Sequence, residues 1–114
     1  MDTFQTALIT GGNGNLGRLV ARQLSAKGID VLCLDLPETE QKNEKLYKKI
    51  FLGDVSDQDF VNRILKDKRP QAIFHLASLL SGSSETDLEK AWQINATASI
   101  NLMQAAKFCE VSLF

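Results

Sequence analysis

The sequence is poor in the residues that usually announce chemistry. Its 114 residues include one histidine, one tyrosine, one tryptophan, two cysteines and two prolines. Cys33 and Cys109 lack metal-type spacing, and each sits inside an apolar pattern, so both read as buried thiols. The cytoplasm is the default location for such a chain. There is no excess of either charge: 13 basic against 14 acidic side chains leave a net charge of −1. Lysines and arginines are dispersed, which excludes an electrostatic footprint for nucleic acid. No apolar run approaches the length of a bilayer span, so a transmembrane helix is not expected. The opening MDTFQTALIT lacks the positive and apolar regions of a signal peptide. What remains is ordinary for a globular chain, 44% apolar and 24% charged. The length suits one domain, and such a domain buries roughly two thirds of its unfolded surface.

Strand and helix patterns alternate along the chain. Ala7-Leu8-Ile9 is a short apolar run closed by glycines, consistent with a strand buried on both faces. From Asn15 to Lys27, Leu16, Val20, Ala21 and Leu24 recur at helical spacing, and Gly28 ends the helix. Val31 to Leu34 is a second strand, stopped by Pro37. Residues 38–49 are a charged loop or short helix before a third strand, Ile50 to Leu52. Asp57 is placed to cap a helix whose inward stripe is Phe60, Val61, Ile64 and Leu65, and Pro70 breaks it. Ala72 to Leu76 is a fourth strand. The loop SLLSGSSET leads to Asp87 and a long helix to about Cys109, and Val111 to Phe114 begins a fifth strand. This alternation predicts an α/β, doubly wound, Rossmann-like parallel sheet of order 3-2-1-4, with strand 5 following if it forms. Residues 1–114 are then expected to form a single domain whose fifth strand barely begins.

The glycine turn carries the functional signal. Gly12, Gly14 and Gly17 satisfy G-x-G-x-x-G, and Gly11, Gly14 and Gly17 satisfy G-x-x-G-x-x-G. The pattern is weak alone, but here a strand precedes it and a helix follows. Glycines there permit a sharp turn, close backbone approach to a pyrophosphate, and tight helix–strand packing. Backbone N–H groups at Asn15 and Leu16, with the helix dipole, would face phosphates. The alternative is a tight turn with no ligand. Asp35 ends the second strand 18 positions after Gly17. A carboxylate there can accept both adenosine ribose hydroxyls and repels a 2′-phosphate, and no arginine follows it, which favours NAD over NADP. The alternative is a solvated acid at a strand end.

TGGNGNLG, LDL, GDVSD, IFHLAS and AWQINATASINLMQAA, in that order, resemble the extended short-chain dehydrogenase/reductases, the NAD-dependent epimerase/dehydratase group. The resemblance runs from about Thr6 to the end and covers only the first third to half of such a family member. HLASLLSGSSETDLEKAWQIN is similar, within that group, to the short-chain type of L-threonine 3-dehydrogenase. The resemblance implies that Gly11, Gly14 and Gly17 form the phosphate turn, with Asn15 and Leu16 lending N–H groups. It places Asp35 and Leu36 at the adenosine ribose, Asp54 and Val55 beside the adenine, and Leu76, Ala77 and Ser78 along the cofactor's middle. Asn95 would prop the loop after the fourth strand. Ser81 and Gly82 would face substrate, or belong to a flexible polar loop. His75, between Phe74 and Leu76, reads as structural, and Trp92 as core or interface.

The family's chemistry uses a tyrosine base with a lysine four residues later, and a serine or threonine on the reacting oxygen. No Tyr-x-x-x-Lys occurs here, since Tyr47 is followed four positions later by Phe51. No catalytic residue is therefore assigned, and the chain alone is expected to be inactive. The alternatives are a non-enzymatic dinucleotide-binding or dimerisation module and a chain that folds but binds nothing. Leu88, Ala91, Trp92, Asn95, Ala98, Leu102, Ala106 and Cys109 form one stripe of the long helix, and Ile94, Ile100 and Phe108 another. Two faces imply two burial partners. An exposed patch, an open sheet edge after strand 4, and a homodimer through Asp87 to Cys109 or through exchanged C-terminal strands follow as expectations.

Overall fold

The computed structural model describes residues 4–37, 45–77 and 88–114, excepting the side chains of residues 88, 90, 91, 93 and 94. Four strands, β1 (Thr6–Thr10), β2 (Asp30–Asp35), β3 (Lys49–Leu52) and β4 (Ala72–His75), form one parallel sheet of order β3-β2-β1-β4. Among the described residues three helices accompany them: α1 (Asn15–Ala26), α2 (Gln58–Lys68) and α3 (Leu88–Phe108). The register sets Leu8 beside Leu32 on one side and Ile73 on the other. This is the Rossmann-like order expected from the alternation.

Strand periodicity sorts the core into two layers, because successive side chains point to opposite faces. Leu8, Leu32, Leu34 and Ile73 form one face and pack with Val61, Ile64 and Leu65 of α2, with Leu102, Ala105 and Ala106 of α3, and with Cys109 just beyond α3. Ile9 and Val31 form the other face with Ala21 of α1, joined by Val20, Leu24, Tyr47, Phe74 and Leu76. The sheet is therefore wound on both faces. β1 is buried along Ala7 to Thr10, whereas the edge strand β3 leaves Ile50 and Leu52 exposed.

Helix ends follow local chemistry. Asp57 caps α2 by accepting the Phe60 N–H at 3.2 Å. Arg69 closes α2 in the left-handed conformation, one residue before Pro70. Lys27 caps α1, and Gly28 beyond it takes a positive φ of 80°.

Several sequence expectations change. Leu16, one of the apolar positions at helical spacing, is exposed, because Gly17 and Ala21 take the contact face of α1. Trp92, expected in the core or at an interface, is 73% exposed and joins no core cluster among the described residues, which leaves the interface reading. The fifth strand forms only as a single parallel bridge from Leu113 to Ala72. That tail nevertheless covers part of the expected open edge: Ile73 N–H donates to Leu113 C=O at 2.9 Å, and Leu113 N–H to Gln71 C=O at 3.1 Å. The helical start at Asp87 lies outside the described residues, as do Ser78, Ser81 and Gly82.

Candidate functional site

The carboxyl ends of β1 and β4 lie side by side where the strand order reverses, the crevice that open α/β sheets use for ligands. The glycine turn leaves β1 there. Gly11 has φ 75°, and a Cβ on it would stand 2.9 Å from the Ala77 nitrogen. The turn is thus seated directly on Leu76 and Ala77. Its own bonds are Gly11 N–H to Leu34 C=O at 2.8 Å and Gly14 N–H to Gly11 C=O at 3.2 Å. Tyr47 adds a bond from its hydroxyl to the Gly12 carbonyl.

Gly14 is the N-cap of α1 and offers no side-chain acceptor to the helix. The first intrahelical bond reaching back to it comes from Arg18 N–H, at 3.0 Å. The N–H groups of Asn15 and Leu16 thus belong to the set that a helix start leaves for an outside acceptor. Both residues are exposed. Gly17 faces inward: a Cβ there would lie 2.5 Å from the Gly11 carbonyl oxygen. The helix start and the turn therefore touch backbone to backbone, which is the close approach that the third glycine provides.

Asp35 is buried at the end of β2 and aimed at this turn. One carboxylate oxygen accepts Asn13 N–H at 2.8 Å and the other accepts Leu36 N–H at 2.8 Å. A carboxylate has about four acceptor sites, so capacity remains for two further donors such as vicinal hydroxyls. The Leu36 side chain is exposed, and its N–H serves Asp35. Asp35 also acts on Cys33: burial first, then the Asp35 charge, pushes that thiol up to about 12. Cys33 is a neutral thiol at physiological pH, with no nucleophilic character.

β3 pairs with β2 so that Leu52 sits beside Asp35, and Gly53 N–H donates to Asp35 C=O at 2.9 Å. This brings Asp54 to the same sheet end. Its carboxylate accepts both Ser56 N–H, at 2.9 Å, and Ser56 Oγ–H, at 2.7 Å, in an Asx turn. Val55 is half-buried and packs on the α2 and α3 side of the core. The glycine turn, Asp35, Leu36, Asp54, Leu76 and Ala77 are thus gathered along one end of the sheet. Asn95 stands apart on α3, half-buried, with its carbonyl accepting Ser99 Oγ–H at 2.8 Å.

Thr10 and Ser99 carry a role that the motifs did not reveal. The fully buried Thr10 hydroxyl lies 2.7 Å from His75 Nδ1 and accepts Leu76 N–H at 3.1 Å and Ala77 N–H at 3.2 Å. His75 Nε2 lies 2.9 Å from Ser99 Oγ. Burial lowers the His75 pKa below 6.5, so the ring is neutral at physiological pH. The structural reading of His75 fits this bonded setting. The signal in the sequence was only a threonine placed immediately before the glycines.

Residues 7–114 match the NAD dependent epimerase/dehydratase family. A UDP-glucose 4-epimerase of Lactobacillus helveticus is 37% identical over 101 residues, covering 86% of this chain and 30% of that protein. The structure of a UDP-glucose 4-epimerase of Thermus thermophilus in complex with NAD superposes with a TM-score of 0.82. It is 28% identical, covering 93% of this chain and 35% of that one. A monomeric L-threonine 3-dehydrogenase from a metagenome superposes with a TM-score of 0.81 at 26% identity, covering 95% of this chain and 34% of that one. The chain thus spans about a third of the length of the relatives it matches. With nearly every residue inside the match and the same sheet order beneath it, this chain belongs to the NAD dependent epimerase/dehydratase family.

Proposed function

We propose that this chain is the NAD-binding part of an epimerase/dehydratase-type oxidoreductase. The observation that carries the reading is Asp35, a buried carboxylate fixed by Asn13 and Leu36 N–H groups at the edge of the glycine turn, with acceptor capacity to spare. In this reading the N–H groups of Asn15 and Leu16 hold the pyrophosphate at the start of α1, and Gly11, Gly14 and Gly17 keep the backbone within reach of it. Asp35, with Leu36 beside it, takes the adenosine ribose hydroxyls and disfavours a 2′-phosphate. Asp54 and Val55 border the adenine. Leu76, Ala77 and Ser78 line the middle of the cofactor, and Asn95 supports the loop beyond them. Bound NAD would supply the hydride acceptor.

The substrate reading is finer. The HLASLLSGSSETDLEKAWQIN segment supports L-threonine, while the UDP-glucose 4-epimerases among the relatives support a nucleotide sugar. Neither chemistry has its tyrosine–lysine pair in these 114 residues, so the chain alone turns over neither compound. A second, non-enzymatic reading is a dinucleotide-binding module that dimerises. The exposed Trp92, Ile100, Met103 and Phe108 of α3 favour it.

Calorimetric titration of the purified chain with NAD, with NADP as control, tests the main reading. NAD should bind in the micromolar to submillimolar range, and NADP much more weakly. Asp35→Ala should lose about tenfold to a hundredfold in affinity, the equivalent of a charged hydrogen bond of about 1.5–3 kcal/mol. A folded chain that binds no NAD refutes the cofactor seat. Turnover of L-threonine or UDP-glucose above background by the same protein refutes the inactivity.

A further inference from the structure

The hydrogen bonds around His75 form a directed chain. Ser99 Oγ–H donates to the Asn95 carbonyl, so its oxygen accepts from His75 and the ring proton sits on Nε2. Nδ1 is then an acceptor and Thr10 Oγ1–H is its donor. A hydroxyl has one proton and two lone pairs. Both lone pairs of Thr10 are taken by Leu76 N–H and Ala77 N–H. Leu76 has a second acceptor in the Thr10 carbonyl at 3.0 Å, whereas Thr10 Oγ1 is the acceptor that the geometry gives Ala77. Gly11, the next residue after Thr10, rests on that same Ala77 backbone.

In this chain of bonds only the Leu76 N–H is shared between two acceptors, and protonating His75 removes the acceptor that the Thr10 hydroxyl proton uses. A proton on Nδ1 turns an acceptor into a donor that faces a hydroxyl with no lone pair left. Either Thr10 releases an amide of Leu76 or Ala77, or the ring leaves its place. We propose that His75 is a positioning residue whose neutral form holds Thr10, Leu76 and Ala77 as the floor beneath the glycine turn, so that protonation of this histidine weakens binding of the dinucleotide. The inference rests on the cofactor reading above. Thr10 faces the ring from β1 and Ser99 from α3, and the Phe114 ring of the C-terminal tail stands 6.4 Å away. None of these side chains is charged. Among the described residues, burial alone bears on the titration of His75.

His75 is the only histidine, so its imidazole signals in nuclear magnetic resonance are unambiguous. At neutral pH the ring should carry its proton on Nε2. On acidification from about pH 7.5 to about pH 5 it should titrate below its ordinary value, and the Gly11, Leu76 and Ala77 amides should shift with the same midpoint. The Kd for NAD should rise several-fold through that midpoint. His75→Gln, which does not titrate, should show a flat Kd over the same range. Should that variant not fold, Ser99→Ala, which deprives Nε2–H of its acceptor, should move the imidazole and Kd midpoints together. Amides and Kd that stay flat while the ring titrates, or a neutral ring protonated on Nδ1, overturn the proposal. Should the wild-type chain bind no NAD at any pH, the cofactor reading falls, and the amide titration alone decides whether His75 controls this floor.

Discussion

A Cβ on Gly17 would stand 2.5 Å from the Gly11 carbonyl oxygen and 2.8 Å from the Gly12 Cα, both backbone atoms that no rotamer change can move. On Gly14 the nearest atom is the Gly11 carbonyl oxygen at 3.4 Å, an ordinary contact, and its φ of −74° suits any residue. Two glycines of one motif therefore differ in kind: Gly17 is required by the fold, whereas Gly14 keeps the surface open for whatever approaches. Gly17→Ala should lower stability by about 1–3 kcal/mol through overpacking. That is a fall in Tm of roughly 4–8 °C per kcal/mol for a domain of about this size. Gly14→Ala should leave Tm within a few degrees while weakening NAD binding. Thermal unfolding of the two variants, followed by titration, checks the pair, and equal losses of Tm would contradict it. Sequence alone named both positions because the spacing is set by backbone geometry. It was silent on the Tyr47 hydroxyl bonded to Gly12 and on the Thr10 hydroxyl, because both depend on contacts between residues 35 or more positions apart.

The elements were legible wherever a local rule decides them. Asp57 caps α2 and Gly28 follows the end of α1 because capping is settled within a few residues. α3 was harder, since it is apolar on more than one side and periodicity cannot say which side meets the sheet. Ala98, Leu102, Ala105, Ala106 and Cys109 are buried, while Trp92, Ile100 and Met103 lie on the other side and are exposed, with Phe108 78% exposed. We propose that this exposed apolar face of α3 takes a second molecule. A second copy is the partner always at hand, so the chain should self-associate through α3. Sedimentation velocity should show the mass rising with concentration. Trp92→Lys combined with Ile100→Lys, both on the exposed side, should restore a monomer without loss of helix content. A wild-type chain that stays monomeric at high concentration would sink this expectation.

At the scale of the whole molecule, the strand order was legible because parallel strands joined by helices admit few arrangements. The link between the two halves of that arrangement was not. His75 ties β1 to α3 through Thr10 and Ser99, and it does so as a neutral ring. Its folded pKa lies below 6.5, its value in the unfolded chain. Between those two values the unfolded chain binds the proton and the folded chain does not, so unfolding takes up a proton and stability rises with pH. The contribution of His75 is therefore complete above about pH 6.5 and shrinks as the pH falls towards the lowered folded value. Any other acid sensitivity is shared by a variant that lacks only the imidazole. Urea unfolding of the wild-type chain and of His75→Gln, at about pH 7.5 and about pH 5.5, separates the two. The wild-type midpoint should fall further on acidification than that of the variant. Equal falls would mean that the ring titrates in the folded chain as it does in the unfolded one, and that the bonds from Thr10 and to Ser99 do not depend on its charge.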